Sequence, residues 1–264
     1  MVPTPQRLAH WMAILVFATS LATWQSALGQ WAENRKIGPF QLRSEFALSD
    51  EQGQELLREM SRLQDDVEQM LGLKTGLDPI EVNLFRTKSS YQNYLKVRVP
   101  EGVSRPALFV RGTDMGRVYV YRHWGFEQDL RHECTHAVLH NTMPYVPLWL
   151  DEGLAEYFEV PASHRPSGND HLNSMKKKIL FGWKPDLRRL EQLGSLREMD
   201  GDDYRESWAW VHFMMHGPPE VRQVLADYLY DIQHGNLAGK LSDRLFAKHP
   251  DAPRRLVSHI RQWR

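Results

Sequence analysis

The feature that most constrains this sequence is a pair of histidines four residues apart, His132 and His136, with Glu133 directly after the first. They lie in a segment predicted to be a helix, where residues four apart project from one face. Two imidazoles on one face can bind a single ion, and imidazole nitrogen suits zinc at about 2 Å. Glu133, roughly 100° around the helix, would flank the ion and accept the proton of a zinc-bound water. The pattern therefore predicts a catalytic zinc site, and the alternative is a pair of core or surface histidines that bind no metal.

A second predicted helix, residues 148–158, offers a carboxylate as the third ligand. Glu152 follows His136 after enough chain for a turn, and two histidines with one glutamate are a known catalytic zinc arrangement. Glu156 lies one turn beyond and is placed to orient a ligating histidine. Gly153 is costly inside a helix, so we expect the two metal-site helices to approach each other closely there.

Of three neighbouring side chains, only Asp151 is kept as an alternative ligand. His140 lies about 12 Å of helix rise from His132, too far for both to bind one ion. Asp151 points about 100° away from Glu152 around the helix and is the alternative acidic ligand. Cys134 faces away from His132 and is predicted to be a small buried hydrophobe.

The two segments read H-E-x-x-H and W-L-x-E-G-x-A-E-Y, and together they resemble the gluzincin metallopeptidases, the clan that contains thermolysin. The sequence looks most similar to the small bacterial peptidase-MA-like group that includes the DUF1570 proteins, mainly over residues 80–160. This resemblance implies a zincin-like fold, one zinc ion and a peptide substrate. It makes His132, His136 and Glu152 the zinc ligands, Glu133 the base and Glu156 a residue that supports the ligands.

A later tyrosine extends the resemblance. Tyr204 begins a Y-R-E-S stretch before apolar residues, similar to a Y-x-x-G pattern in aminopeptidases of the clan, with Ser207 in place of glycine. The resemblance implies that the Tyr204 phenol donates to the oxyanion, whereas the alternative is a tyrosine that packs on the core. The G-x-M-E-N element that holds the substrate's amino terminus in those aminopeptidases does not precede His132. Cleavage within a chain is therefore expected rather than aminopeptidase activity.

Hydrophobic periodicity predicts a single α+β domain over residues 30–264. Residues 30–75 are predicted as a helical extension with a capping box at Ser49 and Gln52, and residues 76–160 as a small mixed sheet with the metal-site helices. Residues 161–264 are predicted as a helical subdomain. Strands are expected at 80–85, 107–110 and 117–121, the last two forming a hairpin.

The second strand of this hairpin is predicted to be an edge strand that binds an extended peptide, through Val118, Tyr119 and Val120. Charged residues at its ends, Arg117 and Arg122, and apolar residues between them suggest this role. A covered or solvated edge is the alternative.

The first 29 residues resemble a secretory signal. Arg7 precedes a short apolar run, residues 11–18, and small residues follow at Ala27 and Gly29. The run is shorter than the roughly 20 residues that span a bilayer. We expect export to a bacterial periplasm or the exterior without stable membrane insertion after cleavage. An uncleaved anchor is the alternative.

Composition argues against some classes of partner and of fold stabilisation. The 33 basic and 33 acidic side chains give no net charge, which argues against nucleic acid as the main partner. The single cysteine, Cys134, excludes an intramolecular disulfide. The leading hypothesis is a secreted zinc endopeptidase. The alternatives are a non-catalytic binding or scaffold protein of the same fold and a zinc hydrolase of a non-peptide bond, and the oligomeric state stays open.

Overall fold

A computed structural model describes residues 31–167 and 170–263, so the predicted signal segment lies outside the described residues. A short 3₁₀ turn, Pro100–Gly102, precedes the hairpin. The described strands and helices, in chain order, are β1 Glu33–Ile37, β2 Phe40–Ser44, α1 Asp50–Leu71, β3 Ile80–Phe85, α2 Lys88–Arg98, β4 Ala107–Arg111, β5 Gly116–Tyr121, α3 Phe126–Thr142, α4 Leu148–Phe158, α5 Asp170–Leu180, α6 Leu187–Leu190, α7 Gly201–His216, α8 Pro219–Gln233, α9 Leu241–Lys248 and α10 Ala252–Gln262.

The strands form one mixed sheet in the order β1-β2-β3-β5-β4. The three inner strands are parallel, and the outer strands β1 and β4 pair antiparallel with their neighbours. Helix α1 connects β2 to β3, as a parallel connection requires. The predicted mixed α+β fold, with a small sheet followed by a mainly helical remainder, is confirmed.

The sheet is covered on both faces. On one face Val82 and Val118 belong to the large apolar core shared with α1, α3 and α4. On the other face Phe85 and Tyr119 form a smaller cluster with Tyr91 of α2. Helix α3 therefore packs directly on the sheet, which fixes its position relative to β4 and β5.

The prediction that residues 30–75 form a helical extension was wrong for the part before α1. This segment contains β1 and β2 before α1, and β2 is hydrogen-bonded to β3 inside the sheet. Each strand has five residues, and β1 is half-exposed along its length. Four of the five residues of β1 and three of the five of β2 are polar or charged, so too few apolar residues mark these segments as strands.

The second wrong prediction concerns the edge strand. β5 lies between β3 and β4, so its main chain pairs on both sides and Val118, Tyr119 and Val120 cannot accept a peptide as a further strand. The free edge of this hairpin belongs to β4. The hairpin itself is correct, but which strand lies outside depends on the parallel pairing of β5 with β3, which is a long-range contact.

Side-chain caps set the starts of two important helices. The predicted capping box of α1 is confirmed, because Gln52 N donates to Ser49 Oγ and Ser49 N donates to Gln52 Oε1. Asp200 caps α7 in the same way and places Tyr204 in the first turn. None of the described helices is both long and apolar enough to cross a bilayer.

Gly153 marks a close helix crossing, but not the one predicted. A Cβ atom at this position would lie 2.7 Å from the Ser207 carbonyl oxygen and 3.0 Å from Val211 Cγ2. Both residues belong to α7, so the glycine lets α4 approach α7 rather than α3. This contact holds the helix that carries Glu152 against the helix that carries Tyr204.

We expect Gly153→Ala to destabilise the protein by about 1–3 kcal/mol, because the added methyl group meets main-chain atoms that cannot rotate away. Urea unfolding followed by circular dichroism measures the difference. Gly201→Ala is the matched control, because the nearest atom is 3.4 Å away and belongs to a flexible arginine. Equal stability of the Gly153 variant and wild type would contradict the close crossing.

Candidate metal centre

His132, His136 and Glu152 converge at the contact between α3 and α4. The Nε2 atoms of the two histidines are 3.2 Å apart. Glu152 Oε2 lies 3.6 Å from His132 Nε2 and 3.7 Å from His136 Nε2. The predicted convergence of these three side chains is confirmed, and they form a group that can hold a metal ion.

The distances between the three ligand atoms fit a small tetrahedral ion. Bonds of about 2.0–2.1 Å at tetrahedral angles place ligand atoms roughly 3.3 Å apart, close to the observed separations. Two imidazoles and one carboxylate are the donors of a catalytic zinc site with a fourth position left for water or substrate. The donor set and its spacing therefore fit zinc.

Carboxylates lie beside the other ring nitrogen of both histidines. His132 Nδ1 is 3.0 Å from Glu159 Oε2, and Gln128 Nε2 donates to the second oxygen of that carboxylate at 2.7 Å. His136 Nδ1 lies 2.9 Å from Asp151 Oδ1, although the angle is outside that of a hydrogen bond. A carboxylate at Nδ1 favours a proton on that nitrogen and leaves Nε2 as the ligand atom.

Glu159 is the carboxylate in close contact with His132 Nδ1, while the supporting role predicted for Glu156, which lies in the same group of possible ligands, stays a prediction. Glu156 Oε2 accepts a hydrogen bond from His171 Nε2 at 2.6 Å, which connects α4 to α5. Glu159 stands at the end of α4, two turns beyond Glu152, and reaches His132. The spacing of three glutamates at 152, 156 and 159 places all of them on one helix face, and that signal could have identified Glu159 from the sequence.

Asp151 and His140 form a pair beside the three ligand residues. Asp151 Oδ2 lies 2.8 Å from His140 Nε2, while its other oxygen faces His136. Among the described residues, neither side chain belongs to a group that could hold an ion. The same is true of Cys134, which is fully buried with its thiol pKa raised by burial.

The negative charge around the histidines shifts their pKa values. Burial opposes protonation of His132, but the nearby carboxylates of Glu152 and Glu159 outweigh it and raise its pKa well above the usual value. For His136, burial is likewise outweighed by the charge of Asp151, and the pKa rises to about 9. The carboxylates thus favour a positive charge at this point, as a protonated ring or as a bound cation.

Glu133 lies on the side of α3 that faces the edge strand. Its Oε2 accepts a hydrogen bond of 2.6 Å from the main-chain N of Phe109 in β4. The Phe109 ring stacks on His140 and His136, with centroid distances of 5.6 and 6.5 Å. Nothing in the sequence pattern singled out Phe109, because its importance depends on where the sheet places β4.

Tyr204 is half-buried on α7 and lies within electrostatic reach of the same carboxylates. Burial raises its pKa to about 12, and the negative charges of Glu152, Glu156 and Glu133 add to the effect, while Arg105 opposes it. The phenol therefore keeps its proton at neutral pH and can donate a hydrogen bond. Its role at the oxyanion stays a prediction.

Comparison with known proteins adds no family. No family model matches this sequence, and the search of curated proteins found no match. The assignment of chemistry therefore rests on the side chains of the centre itself.

We expect Glu159→Gln to lower zinc affinity about 10- to 100-fold, because the carboxylate that orients His132 is lost. Competition with a chromophoric chelator measures the affinity. Glu156→Gln is the matched control, since that carboxylate bonds to His171, and a smaller loss is expected. A larger loss for the Glu156 variant would show that Glu156, rather than Glu159, is the main support of the ligands.

Proposed function

We propose that this protein is a zinc-dependent peptidase of the gluzincin type with a zincin-like fold. The observation that carries the proposal is the convergence of His132 Nε2, His136 Nε2 and Glu152 Oε2 within 3.7 Å of one another. Glu133 stands on the same helix between these ligands and an open strand edge. This arrangement supports the proposal, because it brings together the residues proposed as ligands and base and the strand edge proposed for the substrate.

His132, His136 and Glu152 would hold the zinc ion, which would supply Lewis-acid polarisation of a substrate carbonyl and would lower the pKa of water to about 7. Glu133 accepts the proton of the attacking water and passes it to the leaving amine. The Tyr204 phenol, which stays protonated, donates to the oxygen on which negative charge develops. Glu159 and Asp151 keep the two imidazoles oriented.

The substrate is proposed to lie along β4 rather than β5. β4 is an outer strand of the sheet, and the outward N–H of Phe109 lies beside Glu133. An extended peptide can add to such an edge through main-chain hydrogen bonds. A strand edge fixes no chain terminus, and the G-x-M-E-N element is missing, so cleavage within a chain is favoured over removal of amino-terminal residues.

Export remains part of the proposal. It rests on the signal-like sequence of residues 1–29, with its short apolar run and small residues before Gln30. Amino-terminal sequencing of the protein recovered from the exterior or periplasm of a bacterial host tests it. A mature chain that starts near Gln30 is expected.

Hydrolysis of a quenched fluorescent peptide library tests the enzymatic proposal. We expect cleavage that stops with a chelator and returns when zinc is added. A protein that binds zinc tightly but cleaves no peptide would contradict the proposal and favour a binding or scaffold role, or hydrolysis of another bond.

A further inference from the structure

Phe109 N donates its hydrogen bond to Glu133 at the open edge of the sheet, which is formed by β4. In β4, Leu108 and Val110 stand opposite Tyr119 and Arg117 of β5, and Phe109 stands opposite Val118. Because the Phe109 N–H goes to Glu133, it makes no ladder bond with β5 and points outward. N–H and C=O of one residue point to the same side in an antiparallel strand, so both main-chain groups of Phe109 face the open edge.

The register of the hairpin supports this orientation. Gly112 N donates to Met115 O at 3.1 Å, which continues the inner ladder two residues after Val110. Residues of the other parity, Ala107, Phe109 and Arg111, therefore present their main chain outward. A peptide that adds to β4 needs these same groups.

We propose that the main-chain N–H of Phe109 is a positioning group that holds Glu133 in the free protein and releases it when a substrate strand pairs with β4. This inference rests on the proposed function. One N–H cannot serve two acceptors at full strength, so a substrate carbonyl at Phe109 competes with the Glu133 carboxylate. Pairing of the substrate thereby turns the carboxylate towards the attacking water.

The strand itself is held firmly, so the carboxylate is the part that moves. The Phe109 ring stacks on His140 and His136. Its neighbours Leu108 and Val110 pack on the opposite face of the sheet. Across the part of the chain that the structure describes, the bond to Phe109 is the one hydrogen bond of the Glu133 carboxylate. Loss of this single bond is therefore enough to free it.

The consequence is a dependence of kcat on substrate length. A short peptide that does not reach Phe109 leaves Glu133 held, whereas a longer peptide with the same scissile bond releases it. Exchange of one hydrogen bond to a charged group corresponds to about a tenfold change in kcat. A merely structural role of Phe109 would change KM or stability without this length effect on kcat.

The test compares Phe109→Pro with Phe109→Ala, using a short and a long peptide that share one scissile bond. Both variants lose the ring, but only proline lacks the N–H, and an edge strand tolerates proline where the N–H points outward. Wild type and Phe109→Ala should show about tenfold higher kcat for the long peptide. Phe109→Pro should lose that difference, because the short peptide now reaches the higher kcat, and its KM for the long peptide should rise.

Equal length dependence of kcat in the two variants would overturn the inference. Zinc-dependent cleavage with no length effect in wild type would overturn it as well, and would leave the proposed function intact. No cleavage by zinc-loaded wild type would contradict the proposed function itself.

Amide hydrogen exchange provides a readout that needs no activity and no proline variant. The Phe109 amide should exchange at least about tenfold faster in Glu133→Ala than in wild type, because its acceptor is gone. The Val110 amide, which faces the inner ladder, should be unchanged and serves as the control. Equal exchange of the Phe109 amide in both proteins would overturn the inference.

Discussion

Replacing Glu133 by glutamine is expected to lower kcat/KM for peptide cleavage by about 10²- to 10⁴-fold while zinc stays bound. Glutamine keeps the shape of the side chain and an acceptor oxygen for Phe109 N, but it cannot take a proton from water. The three ligand residues are untouched, so zinc content and folding should match wild type. Steady-state kinetics on a quenched peptide, together with metal analysis, measure both effects.

Glu127→Gln is the matched control for this experiment. Glu127 stands on the same helix, in its first turn, and is exposed to solvent. Its replacement removes the same charge from α3 without changing the metal centre. Wild-type turnover by the Glu133 variant would show that another group acts as the base.

The second large effect concerns stability in acid. His212 is fully buried behind α4, with its Nε2 2.9 Å from the Pro166 carbonyl oxygen and its Nδ1 2.9 Å from His259 Nε2. The carbonyl requires a proton on His212 Nε2, so Nδ1 accepts from His259. A second proton on His212 would sit on Nδ1, where it would point at the N–H of His259 and break this hydrogen bond. His216, which bonds to the Tyr157 hydroxyl at 2.8 Å, packs against the same rings.

Burial keeps these histidines neutral in the folded protein. It lowers the pKa of His212 to about 3 and that of His259 to about 4, with the neighbouring His216 adding to both shifts. In the unfolded chain both side chains take up protons near pH 6.5. The unfolded state thus binds more protons below that pH, and stability is lost as the pH falls.

We expect His212 and His259 each to lower the free energy of unfolding by about 2 kcal/mol at about pH 5 relative to about pH 7.5. His259→Gln should therefore make the variant about 2 kcal/mol less sensitive than wild type to this fall in pH. The free energy of unfolding in urea at the two pH values measures it. His132 and His136 have pKa values shifted the opposite way, so the comparison is made between variants rather than from wild type alone.

His234→Gln is the control, because His234 is exposed and stacks on Tyr230 away from the buried cluster. It should keep the wild-type pH dependence. If the His259 variant also keeps the full difference, the buried histidines do not carry the acid sensitivity.

The ligand set could be predicted from sequence because helical periodicity alone places His132 and His136 on one face. Glu152 required a turn between two helices, and the intervening chain was long enough for it. Glu159 was missed, since which of two glutamates on one face reaches His132 depends on the rotation of α4 against α3. That rotation is set by packing, in particular by the close contact of Gly153 with α7.

The strand that lies beside the centre could not be predicted in the same way. Local patterns identified the hairpin, but the outer position of β4 depends on the parallel pairing of β5 with β3. The strands β1 and β2 are too polar for a local signal. The sequence therefore predicted the grouping of His132, His136 and Glu152 better than the arrangement of the strands beside them.

The zinc content of the purified protein after extensive dialysis tests the central claim most directly. We predict one zinc ion per chain in wild type and none in Glu152→Ala, because two imidazoles alone hold the ion too weakly. Wild type without zinc, or a Glu152→Ala variant that keeps a full equivalent, would contradict the account.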